Sequence, residues 1–375
     1  MPDREERAGP GERTGPAAPG RTSATGSARR PWRGRRGPAL LLAGALLALA
    51  GAAAAVAPAG GRAQDAPAAA GAPGGTAGTP AADGSADTAG PVAERERCAG
   101  GRDPAESYRA ERVAGDAVRR IRERGEGGQL VVGIDQNSYL WGYRSPETGE
   151  IVGFDLDLVR AIAEDLLGTD APDAVTYLAI PTDQRTDAIR DGQVDMVVRA
   201  MSITCDRWDQ VAFSTAYFDT GQQLLVPRNS PVTGYDASLT GARVCSAAGS
   251  TAAGLLERED FGAELVPAPN HLDCLVLVQL GEADALMTDS ALAAGHVAQD
   301  PSMRLVGEPL TEESYGVAMN LADVDLVRWV NAVLEDYREG GADSRWARSA
   351  DRWLQGYLYP EDAPPPTPPR PRYLD

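Results

Sequence analysis

Residues 195–208 read DMVVRAMSITCDRW and combine an apolar run with a cluster of polar side chains. The first half is typical of a buried strand, and the second half brings two hydroxyls, a thiol and Arg207 directly after it. A guanidinium stays charged and is costly to bury unpaired, so Arg207 needs either solvent or an anion. The segment therefore predicts a strand whose carboxyl end carries a binding residue.

Strand-like and helix-like runs alternate on both sides of this segment, from about residue 105 to residue 358. QLVVGID (129–135) is a short apolar run, and GFDLDLVRAIAEDLLG (153–168) follows it with its aliphatic residues on one helical face. A charged helix is expected at AESYRAERVAGDAVRRIRERG (105–125), which ends at a glycine. Successive buried strands joined by helices predict parallel βαβ units.

The alternation falls into two similar sets, which predict two α/β lobes, each with a mostly parallel sheet flanked by helices. We assign residues 105–222 and 310–358 to lobe 1 and residues 223–309 to lobe 2. The chain then crosses between the lobes near 218–228 and again near 308–318. Ligands of open α/β sheets sit beyond the carboxyl ends of the strands, so two facing lobes predict one shared cleft.

The amino-terminal region differs from this folded part in charge and hydropathy. Residues 1–37 carry nine Arg and four acidic residues, a net charge of +5, so the total of −18 leaves −23 on the rest of the chain. Residues 38–58 contain ALLLAGALLALAGAAAAVA, an uncharged run long enough to cross a bilayer. Arginines before such a run keep that side cytoplasmic, which predicts a cleaved signal peptide or a membrane anchor and an exported remainder.

Two further segments lack the composition of a folded core. Residues 59–104 are dominated by Ala, Gly and Pro and cannot bury enough apolar surface, so we expect a disordered tether. Residues 359–375 are rich in Pro, and we expect a disordered tail. The strongly acidic exported region argues against nucleic acid or anionic lipid as partners of the folded part, because both need a basic face.

The cysteine and histidine content bounds the chemistry further. An even number of cysteines in an exported chain predicts disulfides, although four cysteines allow three pairings. These cysteines are Cys98, Cys205, Cys245 and Cys274. Their spacing fits no zinc pattern and the chain has only two histidines, so we expect neither a metal site nor a cofactor.

Three predicted strand ends carry polar groups that would face the cleft. They are Ala200, Ser202, Thr204 and Arg207 after the first strand, Gly249, Ser250 and Thr251 after the second, and Asp289 after the third. Each has a structural alternative: helix capping for the hydroxyls and Asp289, and a surface ion pair with Asp206 or Asp209 for Arg207. Their combination favours a zwitterionic ligand, because Arg207 would hold a carboxylate and Asp289 an ammonium group.

The whole pattern resembles the polar-amino-acid solute-binding proteins of ABC importers, and most of all the actinobacterial glutamate/glutamine-binding subgroup. The resemblance covers about residues 129–350. It rests on LVVGIDQNSYLWGYRSPETGEIVGFDLDLVRAIA, GQVDMVVRAMSITCDRWDQVAFSTAYFDTGQQLLV, VCSAAGSTAAGLL, GEADALMTDSALAAG and EESYGVAMN, in that order. It implies a two-lobed, type II periplasmic-binding fold with a two-strand hinge that closes on an amino acid.

The resemblance also implies roles for particular residues. The ligand's α-carboxylate would meet Arg207, and its α-ammonium would meet Asp289 beside Thr288. Ser202 and Thr204 would bind the ligand together with Arg207. The second lobe would contribute Gly249, Ser250 and Thr251 to the same site. Arg185 would reach a side-chain carboxylate, although Gln precedes it where acidic-amino-acid binders carry Asn. Tyr139 or Trp141 would cover the ligand, unless these rings pack inside the lobe.

A disulfide between Cys245 and Cys274 is likewise implied by the subgroup, and it leaves Cys98 to pair with Cys205. Three functions follow from the resemblance and the topology. The first is delivery of glutamate, glutamine, aspartate or asparagine to an importer permease, with the protein tethered to or secreted from the cell membrane. The second is a membrane-tethered sensor. The third is an enzyme on the same fold, which we disfavour because no His lies at a predicted site strand end and no Glu beside Arg207 or Asp289 in the sequence.

Overall fold

The computed structural model describes residues 96–169, 172–359 and 366–374. The predicted basic segment 1–37, the predicted signal or anchor segment 38–58 and the predicted tether up to residue 95 lie outside the described residues. Among the helices that are described, none combines the length and the hydropathy needed to cross a bilayer.

Strands and helices alternate along most of the described chain. The strands are β1 (Glu106–Ser107), β2 (Leu130–Ile134), β3 (Asn137–Ser138), β4 (Gly142–Arg144), β5 (Ile151–Val152), β6 (Val175–Ala179), β7 (Met196–Val197), β8 (Ala212–Phe213), β9 (Phe218–Thr220), β10 (Gln222–Pro227), β11 (Arg243–Ala247), β12 (Glu264–Ala268), β13 (Ala285–Asp289), β14 (Met303–Val306), β15 (Glu313–Tyr315), β16 (Ala318–Met319) and β17 (Arg372–Tyr373). The helices are α1 (Asp116–Arg122), α2 (Phe154–Leu167), α3 (Arg185–Arg190), α4 (Cys205–Trp208), α5 (Thr251–Arg258), α6 (His271–Gln279), α7 (Ser290–Gln299), α8 (Val324–Arg338) and α9 (Arg345–Trp353).

Lobe 1 is built on a sheet with the strand order β6-β2-β7-β16-β8. Strand β2 pairs in parallel with β6 and β7, and β16 runs antiparallel to β7 and β8, so β16 alone opposes the other strands of this sheet. Helix α2 packs its aliphatic face against this sheet, and it ends at Gly168, whose φ of 71° suits glycine. The parallel βαβ arrangement places the carboxyl ends of β2 and β7 at one edge.

Lobe 2 repeats the plan with the strand order β12-β11-β13-β10-β14. Strand β11 is parallel to β12 and β13, and β10 runs antiparallel to β13 and β14. Helix α5 covers one apolar face of the sheet, and helices α6 and α7 cover the other. The carboxyl ends of β11 and β13 therefore face lobe 1.

The connection between the lobes is a short antiparallel pair, β9 with β15. Tyr315 of this pair is fully buried and packs against Phe218 and Trp141. Two adjacent strands form a narrow connection, which is a geometry that permits hinge bending.

The segment 96–115 departs from two predictions. Residues 96–104, assigned above to a disordered tether, have defined structure: Cys98 is bonded to Cys205, and Asp103 is 4% exposed. The helix expected over 105–125 is confined to α1. The first half of that range contains only the two-residue strand β1, which pairs with β17, and the fully buried Ser107 hydroxyl donates to the Phe213 carbonyl over 2.6 Å.

The carboxyl-terminal tail also departs from the prediction of disorder. Strand β17 pairs in parallel with β1, and the Leu374 amide donates to the Ser107 carbonyl over 2.7 Å. The Tyr373 hydroxyl donates to a Glu335 carboxylate oxygen over 2.6 Å. A composition rich in Pro gave no signal for this strand, whose partner strand β1 lies near the other end of the described chain.

Both predicted disulfides are confirmed. Cys98 is bonded to Cys205, and Cys245 of β11 is bonded to Cys274 of α6. The first disulfide holds the segment before lobe 1 beside α4, which carries Arg207. The second fastens α6 to the sheet of lobe 2.

Candidate ligand-binding cleft

Arg207 is positioned by a single helical turn at the edge of lobe 1. Thr204 caps α4, and its hydroxyl accepts a hydrogen bond from the Arg207 amide at 3.3 Å. The guanidinium donates from Nη1 to the Ser202 carbonyl over 2.6 Å and from Nη2 to the Gly249 carbonyl of lobe 2 over 3.1 Å. Within the described residues Arg207 forms no salt bridge with Asp206 or Asp209, so the surface ion pair considered above is not formed.

The opposing turn of lobe 2 requires glycine at position 249. Gly249 has a φ of 70°, and an added Cβ would lie 3.0 Å from the Cα of Asp183 in lobe 1. The next residue, Ser250, caps α5, and its hydroxyl accepts from the Ala253 amide over 3.0 Å. Close backbone approach of the two lobes here brings the α5 amino terminus next to Arg207.

Asp289 ends β13 and supplies the negative charge of the cleft. Its carboxylate does not cap α7 but accepts from the Gln222 side-chain amide over 2.7 Å. Burial raises the pKa of Asp289 to about 8, and the nearby Glu313 carboxylate acts in the same direction. An ammonium group beside this carboxyl would favour its ionised form.

A small cavity of about 20 Å³ lies between the lobes, with room for about one water molecule. Its wall combines side chains from both lobes. The lining residues are Ser138, Thr182, Arg185, Arg199, Ala200, Ser202, Arg207, Ala247, Ser250, Thr251, His271, Thr288, Asp289 and Leu292. The volume is far below that of a usual ligand pocket, so binding of an amino acid requires the lobes to part or the arginines to move.

The guanidinium groups of this cavity differ in how their charge is balanced. Arg199 pairs with Asp135 over 3.0 Å. Arg185 is 4% exposed, donates only to the backbone carbonyls of Thr182 and Arg199, and meets no carboxylate within 4.0 Å among the described residues. Loss of hydration lowers the pKa of Arg185, and repulsion from Arg207 and Arg199 adds to this effect. The electrostatics of the cavity therefore favour an anionic group.

A larger cavity of about 570 Å³ adjoins the small one, and Arg207, Ser250 and Thr251 line both. Thr204 and Gly249 line only the larger cavity. Thr251 donates to a Glu313 carboxylate oxygen over 2.8 Å, and Gln222 donates to the other oxygen over 3.0 Å. The shared wall is thus a polar junction between the two lobes and the hinge.

This geometry agrees with the comparison with known families. The sequence profile of the bacterial extracellular solute-binding proteins, family 3, matches residues 130–356. The chain belongs to this family.

Relatives in the family carry the names of amino-acid-binding proteins. The ABC transporter glutamine-binding protein GlnH of Bacillus subtilis is 29% identical over 60% of this chain and 81% of its own length. The glutamate-binding protein GluB of Corynebacterium efficiens is 30% identical over 59% of this chain and 78% of its own length. A crystal structure of a mutant of ArgBP from T. maritima matches with a TM-score of 0.58 and 29% identity over 64% of this chain and 99% of that one. The two-lobed, type II periplasmic-binding fold predicted from the sequence is confirmed.

Most of the residues predicted from the sequence are brought together in this family 3 protein. The small cavity is lined by Arg185, Ala200, Ser202, Arg207, Ser250, Thr251, Thr288 and Asp289. Ala200 adopts a φ of 41°, an uncommon conformation for a non-glycine residue, and its amide donates to Asp155 over 2.9 Å. The backbone conformation at Ala200 directs the chain from the end of β7 into the wall of the cleft.

The prediction that Trp141 or Tyr139 covers the ligand is corrected by the structure. Trp141 is fully buried, and its indole donates to the Ala291 carbonyl of lobe 2 over 3.1 Å. Tyr139 packs against Tyr143 in a tilted arrangement, with ring centroids 4.9 Å apart, and lies outside the small cavity. The aromatic residues after β2 pack instead of lining the site, which is the alternative that the sequence left open.

Several polar residues of the cleft were missed by the sequence analysis. The most important are Ser138, Thr182, Arg199 and His271. Arg199 gave a usable signal, because a charged residue inside the apolar run DMVVRAM has to be paired when it is buried. His271 opens α6 directly after the end of β12, yet it was not counted as a site residue.

Glu313 is a further cleft residue that adjacency in the sequence could not reveal. No Glu lies beside Arg207 or Asp289 in the sequence, but the Glu313 carboxylate influences the pKa of both residues in the folded protein. It approaches from the hinge strand β15, far from both in sequence. Its bonds to Thr251, Thr311 and Gln222 identify it as part of the hinge-side polar network.

Proposed function

We propose that this protein binds an amino acid of the glutamate, glutamine, aspartate and asparagine class outside the cytoplasm and delivers it to the permease of an ABC importer. The observation that carries the proposal is the pair Arg207 and Asp289. They come from opposite lobes and line the same small cavity. A zwitterion that engages both would bridge the lobes and favour the closed state.

The charges of the cleft match the charges of such a ligand. An α-carboxylate would replace backbone carbonyls as the partner of Arg207, and an α-ammonium would pair with Asp289. Each charge-assisted hydrogen bond contributes about 1.5–3 kcal/mol, so a few of them support micromolar binding, about 8 kcal/mol, after the entropy of association is subtracted. The names of GlnH and GluB support the same ligand class.

Arg185 supports a polar ligand side chain. It lies buried without a carboxylate partner, beside the Thr182 hydroxyl, which is also buried without a hydrogen bond among the described residues. Two groups able to donate hydrogen bonds favour a side-chain carboxylate or amide oxygen. Family membership supports an extracellular location, and we propose that the apolar segment 38–58 either directs export or anchors the chain to the membrane.

A thermal-shift screen of the full-length chain against the twenty common amino acids tests the proposal. A ligand at about 100 times its dissociation constant adds about 2.7 kcal/mol to the free energy of unfolding. We expect a rise in melting temperature with one or more of glutamate, glutamine, aspartate and asparagine. An unchanged melting temperature with all four would contradict the proposal.

Two variants of α3 sharpen this test. Arg185→Met should raise the dissociation constant at least about tenfold, because one charge-assisted hydrogen bond is lost. Arg190→Met is the matched control, since Arg190 lies in the same helix with its side chain 56% exposed and pairs with Asp187 on the helix surface. Equal affinities of these two variants would remove Arg185 from the site.

A further inference from the structure

The backbone of one turn in lobe 1, residues 138–141, packs directly against helix α7 of lobe 2. The indole of Trp141 donates to the Ala291 carbonyl over 3.1 Å. One helical turn further along α7, a Cβ added to Gly295 would lie 2.7 Å from the carbonyl oxygen of Tyr139. Real Cβ atoms essentially never come this close to another heavy atom. Only glycine therefore fits α7 against the 138–141 turn in this arrangement.

Apolar side chains surround this contact between the lobes. Ala291 and Leu292 of α7 are buried, and both pack with the apolar core of lobe 1. Leu140 of the turn is buried as well, and one of its methyl carbons would lie 3.9 Å from a Cβ at Gly295. The amino-terminal half of α7 thus belongs to lobe 2 by sequence and packs on lobe 1 by its side chains.

The 138–141 turn cannot retreat into lobe 1. The amides of Phe154 and Asp155, at the start of α2, donate to the carbonyls of Leu140 and Trp141 over 2.9 and 3.0 Å. The Trp141 ring is fully buried and packs edge-on against Phe154. Leu140 has a φ of 75°, which is disfavoured for a bulky residue and persists only where the surroundings enforce it.

Helix α7 is held in lobe 2 in a similar way. Its Ala293 is fully buried in the apolar core of that lobe. The Ser290 amide donates to the Gly221 carbonyl over 2.8 Å, and the Ala291 amide donates to the Thr220 hydroxyl over 3.3 Å. Two rigid elements therefore meet, and the freedom that remains is the angle between the lobes about β9 and β15.

The contact lies on the same side of the hinge as the ligand cleft. Leu292, about one helical turn before Gly295, lines the small cavity, and so does Ser138 at the start of the 138–141 turn. Parting of the lobes therefore separates Gly295 from Tyr139. Both of these residues lie outside the small and the larger cavity. A side chain added at position 295 would thus act on the closed state and would not touch the ligand.

We propose that Gly295 and the 138–141 turn form the stop at which the closing lobes come to rest, so that Gly295 is a positioning residue for ligand binding. The inference rests on the proposed function. A ligand that bridges Arg207 and Asp289 needs the lobes at the separation that this contact sets. A methyl group at position 295 holds the lobes further apart and lowers the population of the closed state. The apparent dissociation constant rises by the same factor.

The expected effect of Gly295→Ala is at least about a tenfold rise in the dissociation constant. The ligand-free protein avoids the clash by parting its lobes, and Ala is the better helix former. Its midpoint of urea unfolding should therefore stay the same or rise. A glycine that only maintained the fold would show the opposite result, a lower midpoint. Affinities for all amino acids that bind should fall by one common factor, because position 295 does not touch them.

The test is titration calorimetry of the full-length chain with glutamate, glutamine, aspartate and asparagine, together with urea unfolding without ligand. Gly234→Ala is the matched control, since it adds the same methyl group to lobe 2 outside both cavities. The nearest neighbour of that methyl group would be a carboxylate oxygen of Asp236 at 3.3 Å, at the end of an exposed side chain. We expect this control to bind as tightly as the unmodified protein.

Several results would overturn the inference while leaving the proposed function intact. One is equal or tighter binding by Gly295→Ala relative to the control. Another is a lower urea midpoint of ligand-free Gly295→Ala, because the clash would then exist without ligand. A third is a loss of affinity that differs among the amino acids, which would mean direct contact with the ligand. If the unmodified protein bound none of the four amino acids, the proposed function itself would be contradicted.

Discussion

Arg207 of lobe 1 donates a hydrogen bond to the backbone carbonyl of Gly249 in lobe 2 over 3.1 Å. The guanidinium is otherwise held by the Ser202 carbonyl. Loss of hydration lowers the pKa of Arg207, although the carboxylates of Glu313 and Asp289 oppose this effect. Among the residues that the structure describes, this cation donates hydrogen bonds to carbonyl oxygens alone, which would leave its charge available to the proposed ligand.

Arg207→Lys should weaken ligand binding by about 10- to 100-fold, because an ammonium group cannot form the paired bonds that a guanidinium offers a carboxylate. Titration calorimetry with the ligand found in the thermal-shift screen measures this. Arg352→Lys is the control, since the Arg352 side chain is 64% exposed and lines neither of the two cavities that Arg207 lines. If Arg207→Lys bound as tightly as this control, the carboxylate role of Arg207 would have to be withdrawn.

The Asp289→Asn variant should gain stability in the absence of ligand and lose affinity for the ligand. The pKa of Asp289 is raised to about 8 in the folded protein, whereas an unfolded Asp ionises near about 3.9, so its free-energy cost to folding grows as the pH rises from about 4 to about 8 and is constant above that. We therefore expect the variant to be more stable than the unmodified protein at pH 9, by on the order of 1–3 kcal/mol, with a smaller gain at pH 5.

Ligand binding should change in the opposite sense, since Asn cannot pair with an ammonium group. We expect at least about a tenfold rise in the dissociation constant at pH 9. Urea unfolding at both pH values and calorimetry at pH 9 provide the measurements. A variant that loses stability at pH 9 would show that the buried carboxylate is well compensated without ligand.

Loss of the disulfide between Cys98 and Cys205 should destabilise the protein strongly. The bond closes a loop with a sequence separation of 107, and loops of about 100 residues correspond to about 4–5 kcal/mol in the chain-entropy description. We expect Cys98→Ala with Cys205→Ala to lower the free energy of unfolding by about 2–5 kcal/mol in urea titrations.

The single variant Cys98→Ala should lose a similar amount, because the bond needs both partners. Binding should also weaken, since Cys205 begins the turn that carries Arg207. Equal stability with and without reductant in the unmodified protein would argue that the bond contributes nothing.

The fold was largely predictable because its signals are local. The period of aliphatic residues in GFDLDLVRAIAEDLLG marks α2, and polar residues directly after β7, β11 and β13 mark strand ends that share one edge. The carboxyl-terminal strand β17 was missed for the complementary reason. Its stability comes from pairing with β1, and a segment rich in Pro carries no periodic pattern of its own.

The cleft itself was predictable only in part. Arg207, Asp289 and Ser250 could be identified because each follows an apolar strand in sequence. Glu313 lies on the hinge and His271 begins a helix. Their positions in the sequence therefore do not indicate that they lie close to Arg207, Asp289 and Ser250. Trp141 was misassigned because an aromatic side chain near a strand end can point either into the cleft or into the core.

The pattern of neighbouring residues in the sequence thus determined the two lobes, their helices and strands, and the opposite charges at the strand ends. Only the folded molecule decided which of those groups meet, that Arg185 has no carboxylate partner within the described part of the chain, and that two histidines join Ser138 and Asp135 across the cleft. The physical reason is that periodicity depends on neighbours a few residues apart. Charge pairing and hydrogen bonding depend instead on residues far apart in sequence: Arg199 meets Asp135 within lobe 1, and Ser138 of lobe 1 meets His271 of lobe 2.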